Sequence, residues 1–336
     1  MRIKATQVIL LNMLCAPMAW AETPSAYDLC LLDKIKQQNG DDTIAELRKQ
    51  CDLDNVTQTM AGKDKPEGNL ASERYQSERE TAFEPFVMTA HRLNYLLPIT
   101  YSNKINEKAY EGTEWSEGLE HAEAEFQISF KVPLNYGDLM FDGDLLYFGM
   151  TLKSFWQVYA DEISRPFRET NYRPEVFYVA PTAWTPFDGK TAVGFGIEHE
   201  SNGQRQDLSR SWNRIYAQFY YSKQNFLVAI QPWWRIPEDK KKDPMDSDGD
   251  DNPDIEDYMG HFELTSAYKV NSFEFSFLGR ENFATHKGYA EVGVTFPIWG
   301  KVRAYAQYSS GYGSSLIDYN QNQQRIGLGI AITGLL

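Results

Sequence analysis

Beyond its first two dozen residues the 336-residue sequence has no run of about 18 apolar residues, so no helix there can cross a bilayer. Helical transporters and receptors are thereby excluded. Basic charge is scarce as well: 33 Lys and Arg face 47 Asp and Glu, for a formal charge of -14. A nucleic-acid partner needs a concentrated basic surface that displaces counterions, and this balance argues against one. Cysteine is scarcer still, with three in the chain. The low mean hydropathy of -0.52 does not exclude a membrane β-barrel, whose strands alternate polar and apolar residues. Aromatics are plentiful, with 20 Tyr, 19 Phe and 8 Trp, as the interfacial girdles of such barrels require.

Residues 1–21 read as a secretory signal peptide. Arg2 and Lys4 precede an apolar stretch from Val8 to Cys15, and small Ala19 and Ala21 flank Trp20, which sets cleavage after Ala21. Cys15 leaves with the leader. Cys30 and Cys51 then remain in a compartment where disulfides persist, apart from any histidine cluster, and a Cys30–Cys51 bridge is expected. Leu29, Leu31, Leu32 and Ile35 before Asn39-Gly40, and Ile44 and Leu47 after it, suggest two short helices that this bridge would staple. Between Asp52 and Glu80 the composition turns polar and charged, with Gly62, Pro66 and Gly68, and reads as a linker. Residues 22–83 are therefore an N-terminal extension and linker, and 84–336 a separate domain.

From Glu84 onward the period becomes two. Phe126, Ile128, Phe130 and Val132 alternate with Glu125, Gln127, Ser129 and Lys131; Val292, Val294, Phe296 and Ile298 alternate with Glu291, Gly293 and Thr295. Phe273, Phe275 and Phe277, and later Ile326, Leu328, Ile330 and Ile332, repeat the pattern. A secreted β-sandwich also alternates. Here, however, the second face repeatedly carries charge or glycine, and the strands run about ten residues, the length of a tilted strand crossing a bilayer. The fold class is all-β, a transmembrane antiparallel barrel, with a strand number that the pattern places near ten to fourteen.

Strand phase singles out one segment. Val193, Phe195 and Ile197 share parity with His199 and Ser201, whereas Gly194, Gly196 and Glu198 take the other face. In the following strand Asn213 shares parity with Ile215, Ala217 and Phe219, while Arg214 and Gln218 take the polar face. Three polar residues thus end two lipid-facing stripes joined by one loop, where unpartnered burial is costly. Two readings fit this pattern equally: polar residues that satisfy one another at the membrane interface, or a nucleophile (Ser201), base (His199) and orienter (Asn213).

The stretch His199-Glu200-Ser201-Asn202-Gly203 with Ser209-Arg210-Ser211-Trp212-Asn213-Arg214 closely resembles the signature of the outer-membrane phospholipase A family, the bacterial detergent-resistant phospholipase A. Pro166 to Tyr172, Asp251 to Ile255, Tyr258-Met259-Gly260 and Ser309 to Asn320 agree with it, and the resemblance runs from about His91 to the C-terminus. It implies a twelve-stranded barrel in the bacterial outer membrane that hydrolyses the sn-1 and sn-2 acyl esters of phospholipids and lysophospholipids. It implies a calcium-bound homodimer as the active form and a silent monomer. By motif, Ser201 is the nucleophile, His199 the base, Asn213 the orienter and the Gly203 amide an oxyanion donor, with calcium-bound water completing the hole. The implied calcium ligands are Ser209 and the Gln204 carbonyl of one subunit and Ser164 of the other, all hard oxygen donors.

The acidic run Asp243 to Asp254 lacks the glycine of an EF-hand loop, Asp251 standing in its place. It reads as a solvated loop, or, with the resemblance, as a secondary calcium site using Asp251 together with Asp207 or a neighbour. Three departures from the family pattern stand out: Gln204 where arginine is frequent, Leu152 where some members place a glutamine on the dimer-facing strand near Trp156, and a terminal Leu336 where barrel-assembly signals end in an aromatic. The competing function class is a passive porin, with Glu198, Arg214 and Gln218 lining a channel.

Overall fold

The computed structural model describes residues 35–36, 68–84, 87–113, 115, 117–243, 246 and 249–336. The leader, Cys30 and Cys51 with their expected bridge, and nearly all of the paired helices expected around them lie outside the described residues. Residues 67–336 group as one unit, which contains the whole sheet seen among the described residues.

Among the described residues, a two-residue strand β1 (Thr89–Ala90) precedes twelve longer ones: β2 (Tyr95–Ser102), β3 (Ala122–Pro133), β4 (Leu145–Trp156), β5 (Phe167–Thr182), β6 (Lys190–Ser201), β7 (Ser211–Lys223), β8 (Phe226–Ile236), β9 (Phe262–Val270), β10 (Phe273–Asn282), β11 (Lys287–Trp299), β12 (Val302–Tyr312) and β13 (Asn322–Ala331). From β2 onward each pairs antiparallel with its sequence neighbours. β13 also pairs with β2, Ile326 opposite Tyr101 and Leu328 opposite Ile99, so the sheet closes and no long edge remains among the described residues.

Closure separates the two residue parities. Phe195, Ile197, Ile215, Phe219, Phe275, Ile326 and Leu328 point outward and are exposed, about half of each side chain being free. So much continuous apolar surface is stable only against lipid. The inward parity is polar and packed. Arg168 binds Glu123 at 2.6 Å and Asp318 at 3.0 Å, and Arg325 binds Glu123 and Glu125 at 2.8 and 3.0 Å. Further along β5 and on β6 and β7, Glu198 pairs with Arg173 and Arg214, and His91 lies 2.8 Å from Glu175. Trp212, Tyr216, Phe177 and Trp233 fill the space between these charges. A lumenal cavity of about 160 Å³ persists beside Arg173, Glu200, Glu263 and Arg280.

The two ends of the barrel differ. At one end are two-residue hairpins, Gln224-Asn225, Asn271-Ser272 and Gly300-Lys301, in which Gln224, Asn271 and Gly300 take positive φ as tight hairpins require. The opposite end carries the long connections 103–121, 157–166, 202–210 and 237–261. In outer-membrane barrels the short turns face the periplasm, which places the ends of β6 and β7 bearing His199, Ser201 and Asn213 on the external side.

A helix, α1 (Leu70–Glu80), lies at the short-turn end, where a linker is expected from composition. It buries no residue and has no apolar face to reveal it in the sequence. Local capping and ties to the rim hold it instead. Asn69 caps it by accepting from the Ser72 amide at 3.1 Å. Arg74 donates to the carbonyls of Gly334 and Ala90, Tyr75 to that of Gly143, and the Leu70 amide to that of Gln224. Glu78 pairs with Lys131 at 2.8 Å and Arg79 with Asp138 at 2.9 Å.

Candidate active site at the external rim

The β6–β7 register sets His199 directly opposite Asn213 and Ser201 opposite Ser211. Alternation is as the sequence implies: Glu198 and Arg214 are buried in the lumen, and His199, Ser201 and Asn213 are half-buried beyond the outward Ile197 and Ile215. His199 Nδ1 and Asn213 Oδ1 are 2.9 Å apart. An amide oxygen only accepts, so Nδ1 carries the proton and the Nε2 lone pair is left available. Ser201 follows His199 by two residues on the same face. It pairs across the other edge with Tyr172, which in turn faces Leu152, and Leu152 faces Ile128. One row of the barrel therefore runs from Ser201 into an apolar strip.

The loop after Ser201 is wound around one side chain. Asn202, buried at 3% exposure, accepts the Arg210 amide at 2.9 Å and the Gln204 amide at 3.2 Å. It donates to the Leu208 carbonyl at 2.8 Å and to Glu169 at 3.2 Å. Glu169 reaches further, accepting the Ile317 amide at 3.0 Å, so the 202–210 loop is tied through β5 to the β12–β13 loop. Gly203 turns the chain at φ +62°, and a Cβ there would meet the Tyr172 ring at 3.5 Å; the left-handed turn is what calls for glycine.

Ser209 donates to the Asp251 carboxylate at 2.7 Å, and Ser211 lies 3.4 Å from the same oxygen. Lys241 pairs with the other oxygen of Asp251. The acidic loop is thus brought onto the 202–210 loop, with Asn252 accepting the Ser211 amide at 3.0 Å beneath it. Asp207 is exposed in a single turn of 3-10 helix, Gln206–Leu208. Ser164 borders the β4–β5 loop's turn Asp161–Ile163 in a left-handed conformation (φ +56°), with Arg165 exposed beside it. Among the described residues no three His, Cys, Asp or Glu side chains cluster, and the oxygens brought together at this loop are the Ser209 and Ser211 hydroxyls and the Asp251 carboxylate. That donor chemistry fits a hard cation such as calcium.

Sequence reasoning does not find the roles of Asn202, Glu169 and Asn252. The sequence signal for the two asparagines is a side chain that prefers turns at the start of a connection, which many solvent loops share.

The model of the family described as Phospholipase A1 matches residues 71–332. The chain belongs to the phospholipase A1 family. Phospholipase A1 of Klebsiella pneumoniae is 40% identical over 256 residues, which span 75% of this chain and 84% of that protein. Among solved structures, outer membrane phospholipase A from Escherichia coli is similar with a TM-score of 0.71 at 35% identity, covering 78% of this chain and 98% of that one. The outer membrane phospholipase dimer of Salmonella typhi with bound calcium gives 0.70 at 35% identity, covering 81% and 100%. The phospholipase A1 family match begins at residue 71, within α1.

Proposed function

We propose that this chain is a calcium-dependent phospholipase of the bacterial outer membrane, hydrolysing sn-1 and sn-2 acyl esters of phospholipids and lysophospholipids at the external rim of its barrel. The observation that carries this is the 2.9 Å contact between His199 Nδ1 and Asn213 Oδ1 on the lipid-facing surface, two residues along β6 from a serine on the same face. Substrate reaches that face by diffusing in the membrane, with acyl chains along the row Ser201, Tyr172, Leu152 and Ile128.

Ser201 Oγ attacks the ester carbonyl carbon while His199 Nε2 takes its proton, and Asn213 holds the imidazole in the required tautomer. The oxyanion develops beside the Gly203 amide, in a turn fixed by Asn202. Collapse breaks the ester bond, the proton on His199 passes to the departing alkoxide, and a lysophospholipid leaves. Water activated by His199 then hydrolyses the acyl-serine and releases the fatty acid.

The calcium ligands in this reading are Ser209 and the Gln204 carbonyl, completed by a second copy's residue at position 164, a serine, while Asp251, with Asp207 or a neighbour, would hold a secondary calcium. When bound, calcium supplies positive charge beside the oxyanion. A site finished across an interface gives regulation a physical basis: activity follows the dimer population, and the monomer is silent. The position of Ser164 on an external loop suits donation to a second copy. The solved outer membrane phospholipase dimer of Salmonella typhi has bound calcium, which supports calcium and a dimer in this reading. Leu152, half-buried in the outward row, makes this face more apolar than a glutamine would.

The test is hydrolysis of phospholipid in detergent micelles by the mature refolded chain, with calcium and with chelator. Turnover is expected with calcium alone, lost in Ser201→Ala and reduced but measurable in Asn213→Ala. Equal, full activity in both variants would remove the assignment.

A further inference from the structure

Asn213 has two ends, and only one of them faces His199. Its amide nitrogen donates to Glu238 Oε1 at 3.0 Å. Glu238 is placed there by the β7–β8 register: Ile236, the last residue of β8, pairs with Asn213, and Glu238 follows two residues later on the same side. Pro237 between them fixes φ and so the direction in which the chain leaves the strand. Glu238 is half-buried against the rim, two residues ahead of the acidic loop's first bridge at Lys240.

A carboxamide is nearly symmetric in shape, and nothing in its own rotamer decides which end its oxygen occupies. The chemical results of the two orientations differ. With Oδ1 toward His199, the ring must carry its proton on Nδ1, and Nε2 is free to accept one from Ser201. With Nδ2 toward His199, Nδ1 becomes the acceptor, the proton sits on Nε2, and the base is lost. A carboxylate has no proton to give and accepts only, so an ionised Glu238 admits the first orientation and rejects the second, which would set two acceptor oxygens about 3 Å apart.

We propose that Glu238 is a positioning residue for the hydrolytic site: its carboxylate fixes the Asn213 amide, and through it the tautomer of His199. This rests on the reading of Ser201, His199 and Asn213 as the catalytic group. Glu238 touches neither substrate nor the reacting atoms. It extends the row of polar groups at the rim to Ser201, His199, Asn213 and Glu238, the last drawn from a different connection than the others. The neutral orienter is thereby backed by a formal charge, which sits one residue farther from the imidazole than the aspartate of a Ser-His-Asp site.

The experiment uses the mature full-length chain refolded in detergent micelles with calcium and a phospholipid substrate, comparing the parent with single and paired variants. Glu238→Leu removes the acceptor, and kcat is expected to fall about tenfold with KM within about twofold. Glu238→Gln keeps an acceptor oxygen and is expected to stay within about threefold of the parent. Combining Glu238→Leu with Asn213→Ala is expected to cost no more than Asn213→Ala alone, because the carboxylate acts only through that amide. Asn213→Asp sets two carboxylates against each other and loses about a hundredfold. Adding Glu238→Gln to it supplies an amide donor to the new carboxylate and restores about tenfold.

A merely structural Glu238 would show independent losses in the Leu and Ala pair and no recovery in the Asp and Gln pair. Either result overturns the proposal, as does an unchanged kcat in Glu238→Leu. Full activity in Asn213→Ala would instead remove the catalytic group itself, so the two failures are distinct.

Discussion

The chemistry at the rim depends on backbone positions that a few side chains hold. Asn202 satisfies two amides and one carbonyl within the 203–210 segment and anchors the segment to Glu169. Replacing it by alanine leaves those backbone groups to solvent or unpaired, at about 1–3 kcal/mol each where burial is complete. The turn at Gly203 and the carbonyl of Gln204 then lose their fixed places together. Asn202→Ala is expected to lower kcat by about a hundredfold and to raise the calcium concentration needed for half activity, whereas Ser201→Ala removes turnover without moving calcium binding. A calcium titration of both activity and intrinsic fluorescence separates them; unchanged activity in Asn202→Ala would show that the loop holds its shape without this side chain. Parity makes His199, Ser201 and Asn213 legible in the sequence, because the two faces of a strand are a local property of spacing. Asn202, Glu238 and the Ser209–Asp251 pair are not legible as contacts. Ser209 and Asp251 are 42 positions apart, and their meeting depends on how two loops fold over a closed sheet.

At the scale of elements, α1 is the part that composition misrepresents. Its face toward the barrel is polar, so no periodicity marks it, and its ties run largely to backbone carbonyls and to charges on strands and loops far along the chain. Glu78 is the most informative of them. Burial by itself would raise its pKa, but Lys131 and Arg74 outweigh burial and hold the carboxyl below its ordinary value. A depressed folded pKa means a contribution fully present above the unfolded value, about 4.3, and lost as the pH falls through the folded one. Acidification below about pH 4 is therefore expected to free α1 before the barrel opens, seen as proteolytic cleavage within 67–94 while the strands stay protected. Glu78→Gln should show the same cleavage at neutral pH, with little further change on acidification. Retention of α1 at all pH values in that variant would assign its docking to the Arg74 and Tyr75 contacts alone. The strands, by contrast, are legible over most of their length, because a bilayer-facing strand must present apolar side chains at every second position.

Two sets of polar side chains, one in the lumen and one at the external rim, have opposite consequences. Inside, Glu123, Arg168, Asp318 and Arg325 form one charge cluster, while Arg173, Glu198 and Arg214 form another, with α1 at the short-turn mouth. Glu198, Arg214 and Gln218, which a porin would use to line a channel, are buried and bound: Arg214 to Glu198, and Gln218 to Gln231 at 2.7 Å. A barrel of twelve strands is narrow enough for side chains to fill, and paired buried charges resist being pulled apart because each would be left uncompensated. Outside, His199, Ser201 and Asn213 stand at the external rim, beside an apolar strip. A molecule that conducts would have the reverse arrangement, with mobile solvated charge within and an indifferent exterior. Insertion into planar bilayers is accordingly expected to give no steady open-channel current, either in the full chain or after deletion of 67–80, since the two clusters occupy the lumen independently of the helix. Cutting the cluster with Arg168→Ala in the helix-deleted chain is the variant in which brief conductance steps should first appear. Steady steps in the intact chain, with Ser201→Ala conducting equally, would give the barrel a transport role alongside hydrolysis; their absence leaves the external rim as the place where this fold does its work.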